Sequence, residues 1–592
     1  MFRWRKLFRR KSLEILLAEM AGEHRLHRVL GPVSLTSLGV GAIIGAGIFA
    51  MTGRVAAEDA GPAIMISFVV ASVACLLAAL CYSEFAAMAP VAGSAYTYTY
   101  ATLGEFLAWI IGWDLILEYA MSCSVVAAHW SHYFDEFLFL SCGWRIPTAL
   151  MSDPFTPEIV DGVAVTTYMN LPAMVIMGLV TVILAIGIRE SAVTNAALVI
   201  VKLGVVLFVI VLGVRYVDTA NWTGVPVESR RTTDVADFVN RHPEIAEQLP
   251  PEGISTAMNG AKLLEEYPVV AAERSAAELA KIEQLPSEVQ RWGLLGLFGV
   301  NRWLQPVDDA VRSSFAPFGL SGIMFGAALV FFSYIGFDSI STHAEEAINP
   351  QRDVPIGILS SLVLCTVLYI LVSAVITGME PYPTINTEAA IVSAFSRQAE
   401  VENSSLLRAS AWVISVGALA GMTSVLLVTF LSQSRIFLAM ARDGLLPHAI
   451  FGVVHERFRT PYRSTIITGV FIILVAGFLP IRVLEEMVSI GTLLAFVMVC
   501  LAVLMLRITR PEVPRPFRCP AIYFVAPAGA FVSFAMMAFL PLDTWARLVV
   551  WLGLGFLIYF LYGIRHSHLG HELERNLHSQ GLSPTDAPLD RS

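Results

Sequence analysis

SLGVGAIIGAGIFAMTG, residues 37–53, is an apolar stretch in which Gly39, Gly41, Gly45 and Gly47 fall within nine residues. Each glycine inside a helix costs up to about 1 kcal/mol relative to alanine, so a continuous helix is poorly favoured here. Close helix packing through Gly41 and Gly45 is one interpretation. A dinucleotide-binding loop is another, but it needs a strand before it and a soluble βαβ unit around it, and neither is indicated. The pattern favours a third interpretation, a discontinuous membrane helix whose freed backbone groups line a cavity.

The composition around this stretch is that of an integral membrane protein. Of 592 residues, 56% are hydrophobic and 15% charged, against about a quarter charged in soluble domains. The net charge of −9 argues against nucleic acid as a partner, and seven cysteines are too few for a disulfide scaffold. No cleavable signal peptide is expected at the N-terminus. The lipid bilayer is therefore the first expected partner.

Twelve apolar runs have about the length needed to cross a bilayer. They are 35–53, 63–89, 100–131, 171–188, 192–214, 319–341, 355–378, 410–434, 464–480, 484–506, 521–540 and 545–564. Lys and Arg number 22 in the segments that share a side with the termini and six in the short loops opposite. Because positive charge accumulates on the cytoplasmic side, both termini are predicted to be cytoplasmic, in a plasma or bacterial inner membrane.

The predicted layout has six parts. They are a cytoplasmic N-terminal segment (1–34), a first repeat of five helices (35–214), a long extracytoplasmic loop (215–317), a second repeat (318–506), two further helices (507–564) and a cytoplasmic tail (565–592). The long loop contains stretches with helical spacing, so either a small, partly helical cap or a flexible insertion is expected. Its middle, 223–314, is where extracytoplasmic protein contacts would be made.

A second interruption falls in the sixth span, GIMFGAALVFFSYIGFDSISTHAEE, residues 322–346, where Gly336 and Asp338 precede a charged run. Interruptions in spans 1 and 6 are what two five-helix repeats would produce, and paired interruptions point to a transporter's binding site. Half-helix N-termini offer N–H groups to a carboxylate, and C-terminal ends offer carbonyls to an ammonium group. An α-amino acid, which carries both charges, suits this arrangement.

Several charged residues lie inside the spans. Lys202 is the sharpest signal, since a lysine at mid-span normally faces a polar interior and could hold or release a proton near neutral pH. Glu118 lies midway along span 3, with Asp114 one turn earlier on the same face, and a functional and a structural role remain equally open for Glu118. Asp338 is expected to cap half of span 6, with a role in gating as the alternative, and Glu84 is expected to be structural or part of a gate.

The histidine clusters do not favour a metal site. His129 and His132 are one turn apart near Asp135, and His566, His568 and His571 lie in the tail. The first group fits the wet outer end of span 3 and the second a solvated tail, so no metal and no cofactor is expected. No nucleophile–base pair suggests an enzyme either.

Several segments resemble the amino acid–polyamine–organocation superfamily, and within it the cationic amino acid transporter family with its bacterial amino acid permease relatives. They occur in family order and cover nearly all of 10–565 except the long loop. The matching segments include LLAEMAGEHRLHRVLG (16–31), GVGAIIGAGIF (39–49), GIRESAVTNAALVIVKL (187–203), FFSYIGFDSISTHAEEAINPQRDVPIGI (331–358) and GALAGMTSVLLVTFLSQSRIFLAMARDGLLP (417–447). The long insertion between Trp222 and Phe315 departs from the short join usual in that family.

The resemblance implies an all-α membrane fold of 12 helices, a five-plus-five inverted repeat with discontinuous helices 1 and 6. It implies an amino acid held between these helices and a span 5 lysine that replaces a bound sodium ion in proton-coupled members. The implied substrate-binding residues are Ile43, Gly45, Ala46, Gly47, Glu118, Phe331, Ser333 and Ile335, and the implied ion-coupling residues are Lys202, Thr423 and Ser424.

These observations predict a proton-coupled amino acid transporter that works by alternating access. An exchanger without net ion coupling, and an amino acid sensor that signals through the long loop, remain as alternatives. The resemblance leaves both cationic and neutral substrates open. Met422, beside the implied pocket, would shorten it against long basic side chains and favours small neutral amino acids.

Overall fold

The computed structural model describes residues 30–88, 94–156, 158–160, 163–187, 192–246, 255, 257–271, 274, 276–342, 347–458 and 460–569. The predicted N-terminal segment up to residue 29 and the tail beyond residue 569 lie outside the described residues. The chain folds as a helical bundle, as the long apolar runs predict.

Among the described residues, the first half of the bundle has seven labelled helical segments, α1 to α7. They are α1 (Pro32–Ile43), α2 (the consecutive turns Gly47–Met51, Thr52–Val55 and Ala56–Ala60), α3 (Ile64–Met88), α4 (Ser94–Thr102), α5 (Glu105–Cys142), α6 (Leu171–Ile186) and α7 (Ala192–Gly213). The backbone turns between α2 and α3 at Gly61, where φ is +64°. Between α5 and α6, strands β1 (Glu158–Val160) and β2 (Val163–Val165) form a small antiparallel hairpin.

The second half contains nine labelled helices, α8 to α16. They are α8 (Gly319–Val330), α9 (Ser339–Thr342), α10 (Pro350–Met379), α11 (Ala390–Val401), α12 (Ser405–Arg442), α13 (Tyr462–Phe478), α14 (Ile481–Thr509), α15 (Ile522–Ala538) and α16 (Leu542–Ile558). The 3₁₀ turn Phe331–Tyr334 extends α8, and this half also contains the short helical segments Tyr382–Thr384, His448–Phe451, Tyr559–Gly563 and Ile564–His566.

Seven helices of the described part are long and apolar enough to cross a membrane. Five shorter apolar helices accompany them: Pro32–Ile43, Leu171–Ile186, Gly319–Tyr334, Tyr462–Phe478 and Ile522–Ala538. Apolar side chains such as Val211, Phe531 and Val550 point outward from the bundle with more than 70% of their surface exposed, as lipid-facing residues do. The expected all-α membrane fold is confirmed, whereas the count of twelve crossings stays a prediction.

The first and sixth predicted spans are both broken helices. We call them helices 1 (α1 and α2) and 6 (α8 and α9). The first stops at Ile43 and resumes at Gly47, and the sixth leaves its helical path after Tyr334 and resumes at Ser339. Both breaks lie among buried residues, where irregular backbone can be satisfied by protein. The glycine patterns predicted these two interruptions.

The segment between α7 and α8 forms short helices of its own. They are Ala220–Thr223, Val235–Arg241, Pro243–Ala246, Gly260–Glu266, Ala276–Glu283, Glu288–Arg291, Gly293–Leu297 and Asn301–Val311. Part of it has a small apolar core that includes Val235, Phe238, Leu263 and Ile282. We call the end of the bundle that carries this insertion the insertion side.

Candidate functional site

The broken helices meet through a very close backbone contact. A Cβ atom on Gly47 would overlap the Cα of Ser333, and one on Gly336, where φ is +114°, would lie 2.8 Å from the carbonyl oxygen of Ala42. Backbone atoms cannot yield as a flexible side chain can, so glycine is required at both positions. The close crossing of helices 1 and 6 therefore depends on glycine at positions 47 and 336.

A tyrosine that the sequence analysis did not single out joins the two breaks. The hydroxyl of Tyr369, on α10, lies 3.0 Å from the carbonyl oxygen of Ile43 and 2.7 Å from that of Ser333. Tyr369 is fully buried, and its single proton can serve only one of these acceptors at a time. The two breaks thus share one donor, which links them to each other through α10.

Lys202 lies next to this crossing. Its Nζ donates a 2.8 Å hydrogen bond to the carbonyl oxygen of Gly41, in the last turn of α1, and its side chain is 1% exposed. The C-terminal end of a helix carries partial negative charge and unpaired carbonyls, so it is a favourable partner for an ammonium group. This contact ties α7 to the unwound end of α1.

The hydroxyl groups near the crossing differ in their bonding. Among the described residues, the buried Oγ atoms of Ser333 and Ser424 have no hydrogen-bond partner. Thr423, in contrast, accepts a 3.0 Å hydrogen bond from Nε1 of Trp130 and donates to the carbonyl of Leu419. Its hydroxyl therefore faces α5, whereas the two serines leave polar atoms unused beside the breaks.

Buried carboxylates line the neighbouring part of α5. Glu118 is buried near Asp338 and Thr492, and Asp114 lies one turn earlier on the same helix. The hydroxyl of Tyr119 donates a 2.8 Å hydrogen bond to Oδ2 of Asp338. Asp338 also occupies the position before α9, and its carbonyl accepts from the N–H of Ser341. The backbone of Asp338 thus accepts a hydrogen bond from α9, while its side chain accepts a hydrogen bond from α5.

The remaining predicted substrate residues belong to the same buried crossing. Ile43 and Ala46 flank the first break, Gly45 would place a Cβ 2.7 Å from Val425 of α12, and Phe331 begins the 3₁₀ turn of the sixth helix. Ile335 follows that turn and is partly exposed. The predicted substrate residues of the two helices therefore lie around one crossing, where both backbones leave their helical paths.

Ion pairs close the bundle on the insertion side. Arg54 of α2 lies 3.2 Å from Glu485 of α14, and Glu485 also contacts Nε2 of His129 at 2.9 Å. Arg482 reaches Asp59 of α2 at 3.4 Å. A cavity of about 1360 Å³ lies between these pairs and the insertion. Arg54, Asp59 and Arg482 line this cavity, and the residues of the crossing do not.

The histidines predicted at the end of α5 also face carboxylates. His132 contacts Glu388, which precedes α11, at 3.2 Å, and a protonated His132 lowers the pKa of that half-exposed carboxyl to about 2. No cluster of three or more metal-binding side chains occurs within the described ranges. In the described structure both histidines therefore contact carboxylates.

At the opposite end, Glu84 is held by two arginines. It contacts Nε of Arg515 at 3.2 Å, bonds Nη2 of Arg507 and accepts a 2.7 Å hydrogen bond from the N–H of Cys519. The carboxylate therefore fastens α3 to α14 and to the segment before α15.

A model of the amino acid permease family matches residues 30–241 and 293–561. The matched residues include both broken helices and Lys202, and they leave out 242–292, which lies within the insertion. The chain belongs to the amino acid permease family. The expected membership in the amino acid–polyamine–organocation superfamily is confirmed.

Three relatives show how far the similarity extends. The chain is 37% identical over 563 residues to the methylthioribose transporter of Bacillus subtilis, covering 95% of this chain and 99% of that one. It is 38% identical over 568 residues to a branched-chain amino acid permease of the same species, with the same coverage. It is 35% identical over 507 residues to vacuolar cationic amino acid transporter 4 of Arabidopsis thaliana, covering 86% and 68%. All three are named as transporters or permeases.

Proposed function

We propose that this family member is a proton-coupled amino acid transporter that works by alternating access. The observation that carries the proposal is the crossing of two broken helices beside a buried lysine ammonium. A carboxylate can be held by backbone N–H groups at the start of α2, around Gly45 to Gly47. An ammonium group can be held by the carbonyl of Ser333 and its unused hydroxyl.

The substrate is proposed to be a neutral amino acid. Ile43, Phe331 and Met422 are fully or almost fully buried apolar residues near the breaks, and they suit an uncharged side chain. Glu118 borders this region and is proposed to orient the ammonium end of the substrate. The name of the branched-chain permease agrees with a neutral substrate, and the other names make methylthioribose and cationic amino acids the competitors to test.

Lys202 is proposed to carry the coupling proton. When charged, it binds the carbonyl of Gly41 and holds α7 against α1. Loss of its proton removes the charge-assisted bond and loosens this tie, which lets the two helices separate. Ser424, whose hydroxyl has no partner among the described residues, is available to the lysine on the α12 side, whereas Thr423 would first have to leave Trp130.

The protein is proposed to lie in the plasma or bacterial inner membrane. Its insertion side would be extracytoplasmic and both of its termini cytoplasmic. In the described conformation, the pairs Arg54–Glu485 and Arg482–Asp59 close the path from the cavity to the crossing. Opening toward the insertion side then requires α2 to move away from α14, which separates these pairs.

The first experiment identifies the substrate. Thermal-shift screening of the purified protein against the twenty amino acids and methylthioribose is expected to give stabilisation by neutral amino acids, because a ligand that binds the folded state raises its Tm. Stabilisation by arginine and lysine alone would contradict the neutral-substrate proposal.

The second experiment tests transport and coupling with that substrate. Proteoliposomes are expected to accumulate it when the outside is acidic relative to the inside, and to stop accumulating it when an ionophore dissipates the gradient. Counterflow that is independent of pH, without accumulation, would instead identify an exchanger. Stabilisation by substrate without any uptake or counterflow would favour a sensor.

A further inference from the structure

One helix of the insertion exposes its apolar face and buries its polar face, the reverse of a helix on the surface of a water-soluble domain. Helix Asn301–Val311 exposes apolar side chains on one face, and Trp303 has 84% of its surface exposed. Val307 and Val311 continue that face at helical spacing, and Leu297 and Phe298 extend it in the preceding segment. Soluble proteins rarely expose so continuous an apolar surface.

The opposite face of the same helix is polar and buried. Asp308 is fully buried and accepts hydrogen bonds from Nη2 of Arg291 at 2.7 Å and from the N–H of Ser321, at the start of α8, at 2.8 Å. Asn301, also buried, donates to Glu288 at 2.8 Å. These bonds fix the rotation of the helix, so its apolar face cannot turn inward without breaking a buried ion pair.

Two other helices of the insertion bury apolar side chains. Helix Val235–Arg241 buries Val235, Phe238 and Val239, and helix Gly260–Glu266 buries Leu263. These side chains form the insertion's apolar core, as expected for a part that faces water on its outside. The reversal at 297–311 is therefore local and indicates a different surrounding medium.

The reversed segment begins where the insertion contacts the end of α15. The backbone of Gly293 lies against the carbonyl of Leu540, so closely that a Cβ would overlap it, and the ring of Trp292 packs 5.8 Å from that of Phe539. Below this contact, α15 exposes Phe534 and Phe531 on the outside of the bundle. The reversed segment thus follows directly on a contact with the end of α15, a helix that exposes apolar side chains on the outside of the bundle.

We propose that residues 297–311 form an interfacial anchor that lies in the headgroup layer of the membrane on the insertion side. The occupant of its apolar face is phospholipid. Trp303 would sit at the boundary between acyl chains and headgroups, where tryptophan is enriched in membrane proteins. Arg302 and Asp309, exposed on the adjoining edge, would stay in contact with water. The anchor requires that the bundle spans a membrane, and it does not depend on what is transported.

Cysteine labelling tests the anchor in the full-length protein. Cys142 is exposed and the other six cysteines are buried, so Cys142→Ser provides a background with little labelling. Trp303→Cys and its neighbour Arg302→Cys, each labelled with the fluorophore NBD, are reconstituted into phosphatidylcholine–phosphatidylglycerol vesicles. We expect quenching at 303 by lipids that carry a nitroxide near the headgroup, and several-fold stronger quenching by iodide, present on both sides, at 302.

A second pair of cysteine variants shows whether the contrast between 302 and 303 is caused by the loss of one particular side chain. Val307→Cys lies on the same apolar face and Asp309→Cys on the polar edge, and the same contrast is expected between them. Equal iodide quenching within both pairs would show that the apolar face is in water and would overturn the proposal. Protection from iodide without quenching by nitroxide lipids, together with cross-linked dimers at 303, would overturn it in favour of a second copy of the chain.

Discussion

The hydroxyl of Tyr369 contacts carbonyl oxygens of both broken helices. Tyr369→Phe leaves the two buried oxygens without this donor, which typically costs about 1–3 kcal/mol. We expect substrate affinity to fall about tenfold or more, measured as the substrate-dependent thermal shift. Tyr559→Phe is the matched control, because Tyr559 is also buried but donates to Glu105, far from the breaks. Equal loss of substrate affinity in both variants would contradict the role given to Tyr369.

Gly47 makes a second prediction at the scale of one residue. In Gly47→Ala, the new methyl group would overlap the backbone of Ser333, so helices 1 and 6 are forced apart at the proposed substrate site. We expect uptake to be abolished even where the protein is still inserted and monodisperse. Gly178→Ala, in α6, adds a methyl group with no atom within 4 Å and is expected to transport normally. Wild-type uptake by the Gly47 variant would rule out the close crossing.

Some of these residues could be predicted from the sequence and others could not. Lys202 stands out because a charge within a long apolar run needs a partner, and the partner is the carbonyl of Gly41. Tyr369 does not stand out, because a tyrosine in an apolar helix can bond any nearby carbonyl, as Tyr334 does with Phe68. The direction of Thr423 depends on the rotation of α12 about its axis, which spacing alone does not determine.

At the scale of elements, Asp308 ties the reversed helix of the insertion to α8. Burial acts to raise the pKa of Asp308, but Arg291, the N–H of Ser321 and Arg312 outweigh it, so the pKa lies below its ordinary value. A carboxyl with a lowered pKa stabilises the folded state above its unfolded pKa, about 3.9, and the stabilisation is lost as the pH falls through the lowered value.

The lowered pKa of Asp308 predicts how the effect of its substitution depends on pH. Asp308→Asn leaves buried Arg291 partly unpaired, and we expect a loss of about 3 kcal/mol near neutral pH, seen as a lower apparent Tm in detergent. The difference from the wild type should persist down to about pH 4 and shrink at lower pH. Asp309→Asn is the control, since Asp309 is 58% exposed. A difference that stays constant from pH 7 to pH 3 would contradict the assigned ion pair.

The sequence predicted the breaks in helices 1 and 6 because glycine patterns act locally. It placed the end of the third span near residue 131, whereas α5 continues to Cys142, where Gly143 ends it in a left-handed conformation. The extra turns are rich in aromatic and polar residues that pack against neighbours such as Trp412. Tertiary contacts, and not hydropathy, therefore set the length of this helix.

At the scale of the whole molecule, the insertion is joined to the bundle at the insertion side. Arg231 reaches Glu58 of α2 at 3.5 Å, and Arg291 bonds Ser321 of α8. A variant that lacks residues 223–314 is expected to be less stable but to retain gradient-driven uptake, because the crossing and Lys202 lie outside the insertion. Uptake at equal reconstituted amounts of protein is the measurement. Loss of all uptake with substrate binding preserved would show that the insertion is needed for transport.

The proposed role of Lys202 is to couple the proton to the movement of the substrate across the membrane. A pH-sensitive dye inside vesicles measures proton entry when the substrate is added outside at equal pH. The wild type and the control Lys262→Met, altered at an exposed lysine of the insertion, should acidify the lumen as substrate enters. Lys202→Met should exchange substrate in counterflow without acidification and should not accumulate it. Acidification and accumulation at wild-type rates by Lys202→Met would contradict the account.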